Sequence, residues 1–491
     1  MKHTVFISCT LMLALTILGS CSGGDDGSVT GETQAVSMTE TTAETEKAVE
    51  GIPDTLDFAE APLRVMIPDG FIGYDDDFIF ADAYTGDLLD DVMYDIYMQT
   101  EEYLNIDVQP TAVPGLDVVA ELRSTILAGD DAFELMRYNV SWSNAASLIA
   151  AGGLYNILDM PYVKPFSEYY ISEVNEMMVV NDQLYFVISA WPTVRIPTYM
   201  VFNKKMMDSL DMEYPYQTAL DGTWTYDVFL DYIKGITTDL DGDGDFDIHD
   251  RYGYANMGNL TNLMTYGMGI EPFIQCEGGY YAPDFLNEGL INVFTKIIDL
   301  RERDDIYNAN LYQPGTGSGH AIVDDAGFHV FMLGNSLFST TGTGSLKLRY
   351  IEDFDFGIVP YPKYDESQEY YCGSQSPSPF AVPGAVGDPE MVGAALETLS
   401  QLCYAELAPA YIDIYVNEKE LRDEDSVSVM RMIMNNRIMP EMAYYYQYDS
   451  DALLLESMNK IDSSGEIVSF LTKVQTRAET RAQKFFEDNF Q

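Results

Sequence analysis

The chain has 491 residues, 79 of them Asp or Glu against 26 Lys or Arg, for a formal net charge of -53. Such an excess of acid excludes nucleic acid and anionic membrane surfaces as partners, because both require a basic footprint, and it leaves calcium as the more natural ionic partner. A hydrophobic share of 47% with 13% aromatic residues is enough to build two ordinary domains with packed cores.

The N-terminus opens with Lys2 and His3, continues as an apolar run from Val5 to Leu18, and closes on Leu18-Gly19-Ser20-Cys21. The run is too short to span a bilayer and reads as a signal peptide over 1–20. Small residues directly before a cysteine resemble the bacterial lipobox, which implies a lipid thioether on Cys21 as the sole membrane attachment. The protein is then expected at the cell surface, on the outer face of the cytoplasmic membrane. Residues 21–57, rich in Gly, Ser, Thr and acid, are expected to form a disordered tether behind the lipidated cysteine.

The body alternates strands and helices. LRVMI at 63–67 reads as a buried strand ended by Pro68-Asp69-Gly70. Residues 87–104 place apolar side chains on one helical face, and 106–108 start a second strand, completing a βαβ unit. A helix over 118–128 and a strand over 133–136 repeat the pattern, and further strands are expected at 184–188 and 198–202. Asp388 before Pro389 and Glu390 marks a helix start for 391–404, and Asp423 one for a helix to 435. Cys276, Cys372 and Cys403 are too few and too widely spaced to argue a disulfide framework or a zinc site; one pair or three free thiols both fit.

The segment 239–250 carries Asp239, Asp241, Asp243, Asp247 and Asp250 at positions 1, 3, 5, 9 and 12 of an EF-hand-type loop, with Gly244 at position 6 and Asp245 at position 7. A hard divalent cation takes six or seven oxygens, and this spacing offers them in sequence, so a structural Ca2+ held by Asp239, Asp241, Asp243, Asp245, Asp247 and Asp250 is expected. Aspartate at position 12 instead of glutamate shortens the reach for bidentate ligation. A solvated acidic turn is the competing reading. No His-centred triad, HExxH helix, phosphate loop or G-x-S-x-G elbow occurs, so no catalytic residue is assigned and the chain is read as a non-enzyme, with a two-carboxylate glycosidase left open by its plentiful paired carboxylates.

Several phrases, in order, are similar to the extracellular solute-binding proteins of bacterial ABC importers, the maltose-binding-like group in particular. They are Leu148-Ile-Ala-Ala-Gly-Gly-Leu154-Tyr-Asn-Ile-Leu158, Asp182-Gln-Leu-Tyr185-Phe-Val187, Thr198-Tyr-Met-Val-Phe202-Asn203-Lys204-Lys205, Gly222-Thr-Trp224-Thr-Tyr-Asp227-Val-Phe229 and Phe356-Gly-Ile-Val-Pro360-Tyr-Pro362-Lys363. The tail around Arg422 to Ser426 and Asn436-Arg437-Ile438 follows them, and Phe202 stands where the pattern usually has Tyr.

The resemblance implies an α/β, periplasmic-binding-protein-like fold: two α/β lobes with a ligand cleft between them, joined by crossing hinge strands. Carried onto this chain, lobe one is 58–190 plus 374–412, and lobe two is 191–373 plus 413–491, the latter holding the acidic loop 239–250. It also implies a monomeric lipid-anchored importer subunit that hands a small molecule, a carbohydrate or oligosaccharide, to ABC permease subunits. A peptide or other small nutrient, or a calcium-dependent surface glycan hydrolase or lyase, are the alternatives.

Ligand contacts expected from the resemblance are Tyr138, Asn139 and Trp142 after the 133–136 strand, Trp191 and Arg195 at the first hinge, and Tyr444 and Tyr445 from lobe two. Flat aromatic rings beside amides and charges suit sugar faces and hydroxyls. Trp191 is equally a packing residue, Arg195 is equally an ion-pair partner, and Trp224 is read as helix packing.

Overall fold

The computed structural model describes residues 49–69, 83–114, 118–129, 132–137, 145–256, 260–308, 321–341, 348, 351, 353–375, 379–413, 424–440 and 466–490. The first sheet has four strands in the order Phe380–Ala381, Leu135–Arg137, Ala61–Asp69, Ile106–Pro114. Ala61–Asp69 runs parallel to both neighbours, with Ala61 opposite Ile106 and Val65 opposite Leu135, whereas Phe380–Ala381 joins antiparallel. Leu63, Val65 and Met66 have no exposed surface, as an apolar run in a parallel sheet covered on both faces requires.

The helix Leu88–Leu104 forms the βα crossover. The Asp87 carboxylate accepts the Leu89 amide at its start, and Asn105, at φ 52°, takes the left-handed conformation that ends it. Its buried face, Leu89, Met93, Ile96, Tyr97, Thr100 and Leu104, packs against the helix Pro389–Leu402. That second helix starts where Asp388 accepts the amides of Glu390 and Met391.

The second sheet has five strands in the order Phe356–Pro360, Tyr199–Asn203, Ser336–Thr341, Tyr252–Asn256, Ile306–Asn308. Tyr199–Asn203 is antiparallel to both neighbours, and the other pairings are parallel. Trp224, read as packing, is fully buried here and donates its indole N–H to the Pro360 carbonyl at 2.9 Å.

Two expectations change. Residues 184–188 form no strand: they run extended past the first sheet and make a single antiparallel bridge, Val187 to Phe380. The expected tether extends to residue 57, yet residues 49–57 are docked. Val49 and Ile52 are buried, the Glu50 amide donates to the Gln401 side-chain oxygen at 2.8 Å, and Gln401 Nε2 returns a bond to the Glu50 carbonyl at 2.9 Å. The apolar residues Val49, Ile52 and Leu56, diluted by acid and glycine before them, are what this short stretch buries or half-buries. Asp423, the expected helix cap, lies outside the described residues; the helix it precedes is Glu424–Met434.

Candidate functional site

The sheets are connected by chain that leaves the first at Val187 and enters the second at Tyr199, and returns from Pro360 to Phe380. The strand Arg437–Ile438 lies beside the return segment, paired parallel with Cys372–Gly373. These segments are tied laterally. The Thr198 amide donates to the Ser374 carbonyl at 2.8 Å, the Ser374 amide to Thr198 Oγ1 at 3.0 Å, and the Met439 amide to the Gly373 carbonyl at 2.9 Å. Gln375 Nε2 donates to the Val194 carbonyl at 2.8 Å.

Trp191 sits at the centre of this crossing. It is 1% exposed, stacks on Phe380 and donates its indole N–H to the Tyr97 hydroxyl at 2.8 Å. Burial, the largest influence, pushes the Tyr97 hydroxyl far above its ordinary pKa, so it is a neutral phenol able to accept that bond. The expectation that Trp191 offers a face to ligand is therefore corrected: its ring is taken up by core packing, and no face is open to a solute.

Arg195 is likewise fully engaged. Its Nε donates to Glu173 Oε1 at 2.6 Å, and its two terminal nitrogens donate to the carbonyls of Met434 and Asn436. The guanidinium thus ties the first crossing segment to a carboxylate of the first-sheet side and to the end of the helix Glu424–Met434. In this structure Arg195 takes the ion-pair role. Tyr138, Asn139, Trp142, Tyr444 and Tyr445 lie outside the described residues. Tyr97 and Gln375, which anchor the crossing, have no local sequence signal: each becomes meaningful only through a partner far away in the chain.

The acidic loop has a defined geometry. Its base is closed by the bridge between Thr238 and Arg251. Asp239 accepts the amides of Gly242 and Gly244, Asp241 that of Asp243, and Asp243 that of Asp245. Gly244, at φ 83°, makes the sharp turn at position 6. Carboxylate oxygens of Asp239, Asp241 and Asp243 lie within 4.8 Å of one another, so three of the six expected ligands are brought together. Asp250 is fully buried and accepts the amides of Leu240 and Asp247, while Asp247 accepts that of His249. Asp245 is exposed.

The Asp243 amide bond alone would lower the Asp241 carboxyl. Desolvation and the neighbouring carboxylates of Asp243, Asp250 and Asp239 together outweigh it and raise the pKa. Clustered oxygens and mutually repelling charges form a donor set that fits a hard divalent cation.

Cys276, Cys372 and Cys403 are all free thiols. No helix among the described residues is long and apolar enough to cross a membrane.

No protein-family model matches the sequence, and no curated protein matches it. Solved structures do match in fold. A cyclo/maltodextrin-binding protein complexed with maltotetraose superposes with a TM-score of 0.55 at 14% identity, covering 88% of this chain and 98% of that one. The maltose/maltodextrin-binding domain MalE from Bdellovibrio bacteriovorus, bound to maltotriose, gives 0.52 at 13% identity over 87% of this chain and all of that one. A sugar transporter from Rhizobium etli in an open conformation gives 0.54 at 13% identity, covering 85% and 99%. The fold is thus periplasmic-binding-protein-like, with two α/β lobes joined by crossing segments.

Proposed function

We propose that this chain is a solute-binding protein that captures a carbohydrate or oligosaccharide between its lobes and delivers it to ABC permease subunits. The observation that carries the reading is the junction itself: two sheets of separate hydrogen bonding, linked by extended segments that meet around Trp191, Thr198 and Ser374. Lobes linked in this way can rotate about the junction, and a ligand touching both stabilises the closed arrangement by its differential affinity for it. The carbohydrate class is supported by solved proteins of this fold bound to maltotetraose and maltotriose.

In this reading Cys21 carries the lipid anchor, and the protein acts as a monomer at the cell surface. The loop around Asp239, Asp241 and Asp243 holds a structural calcium ion. No bond-breaking step is assigned.

Thermal-shift measurements with maltotetraose, other sugars and peptides test the proposal. Saturable stabilisation by a sugar, without product formation, is the expected result. Stabilisation by peptides alone, or turnover of an oligosaccharide, overturns it.

A further inference from the structure

The lobes touch a second time, at the hairpin just before the first crossing segment. Val180 and Gln183 exchange both backbone hydrogen bonds, 3.0 Å each, around a two-residue turn in which Asn181 and Asp182 have φ of 50° and 60°. Two successive positive φ values are those of a tight hairpin turn, and Asn and Asp tolerate them. The hairpin belongs to the first lobe: the Leu184 amide donates to Asn156 Oδ1 at 2.9 Å, and the Leu184 carbonyl accepts from Ile157 at 2.8 Å.

Its tip meets the second lobe. The Asn181 amide donates to the Gly278 carbonyl at 2.7 Å, and Asn181 Nδ2 donates to the Phe490 carbonyl at 2.8 Å, near the end of the helix Ile467–Phe490. Gly278 and Gly279 form the turn between the paired strands Phe273–Gln275 and Tyr281–Pro283. A Cβ on Gly279 would stand 2.3 Å from the Val179 carbonyl oxygen, so only glycine permits this approach. One aromatic pair crosses the contact, Tyr185 with Phe490 at 6.4 Å between ring centroids, beside the second-lobe pair Tyr280 and Phe486 at 4.5 Å. The same helix packs on Tyr281–Pro283 and Glu288–Arg301 of the second lobe and on Ala145–Ala150 of the first.

A backbone hydrogen bond tolerates only a few tenths of an ångström of displacement before weakening steeply. A rotation that carries Asn181 away from Gly278 and Phe490 therefore breaks this contact. We infer that Asn181, Gly278 and Phe490 form a latch that holds the lobes in the arrangement of this structure, so that its strength sets how often they leave it. The inference rests on the two-lobed fold and holds whichever solute is bound.

The test needs no ligand. Asn181→Gly keeps the left-handed turn and deletes the bond to Phe490. Gly279→Val drives a side chain into Val179. Removing one such bond shifts a two-state equilibrium by roughly five- to tenfold. Each variant is expected to change the radius of gyration in small-angle scattering of the ligand-free protein, and to speed hydrogen exchange across 189–198 and 372–375. Wild-type scattering, with faster exchange confined to 178–183 and 276–281, overturns the latch. Should Gly279→Val not fold, Asn181→Gly decides the matter.

Discussion

The indole of Trp191 lies flat on the ring of Phe380, centroids 4.4 Å apart and planes inclined by 13°. One residue comes from the outgoing crossing segment and the other from the returning one, so the pair holds both crossings against the first sheet. Trp191→Ala should destabilise the protein by about 3–5 kcal/mol in urea unfolding, as expected for an emptied aromatic site. A loss under ~1 kcal/mol together with a large loss of sugar binding would return Trp191 to the ligand site.

Arg195 joins Glu173 to two main-chain carbonyls, and its side chain keeps 32% of its surface exposed. Glu173→Gln should therefore cost little, about 0–1 kcal/mol, because water replaces much of the ion pair. Arg195→Ala should cost more, roughly 1.5–3 kcal/mol, since the carbonyls of Met434 and Asn436 lose charged donors. Equal losses in a double-mutant cycle would show that the carbonyl bonds contribute nothing.

The acidic loop predicts opposite pH responses with and without calcium. The Asp241 carboxyl is raised in the folded protein, so ionising it disfavours the ion-free loop: that loop loses stability as pH rises through the carboxylate range. A bound divalent cation needs the ionised form, so its affinity grows over the same range. The difference in Tm between calcium-loaded and chelated protein should accordingly widen from about pH 4 to about pH 7, and Asp241→Asn should shrink it. A difference in Tm that stays near zero at every pH would refute calcium binding.

Thiol reactivity should follow burial. Burial is the largest influence on both Cys403 and Cys372; it pushes the first thiol far up and raises the second. Cys276 is only partly buried. In native protein an aromatic disulfide reagent should modify Cys276 first and Cys403 only on unfolding. Rapid labelling of Cys403 would mean that the helix Pro389–Leu402 opens readily at its end.

Much of the scaffold was legible in the chain. The Asp388 cap, the strand read at 63–67 within Ala61–Asp69, the helix Leu88–Leu104 and the turn at Gly244 all depend on neighbours within a few residues. Hydrogen bonding and side-chain period at that range are local physics, which spacing alone reports. The strand expected over 184–188 failed because pairing is not local: those residues have the apolar content of a strand, but find one partner bridge at Phe380.

By itself, then, the sequence determined several of the helices and strands, which loop gathers carboxylates, and that the chain alternates elements as an α/β protein must. Only the tertiary structure decided that Trp191 is core, that Arg195 reaches 241 residues along the chain to Asn436, that Glu50 clasps Gln401 across 351 residues, and that Asn181 meets Phe490 across 309. Such contacts are selected by the closing of the whole chain around its cores. The entropy of joining distant segments is recovered collectively, by burial that no single stretch of sequence specifies.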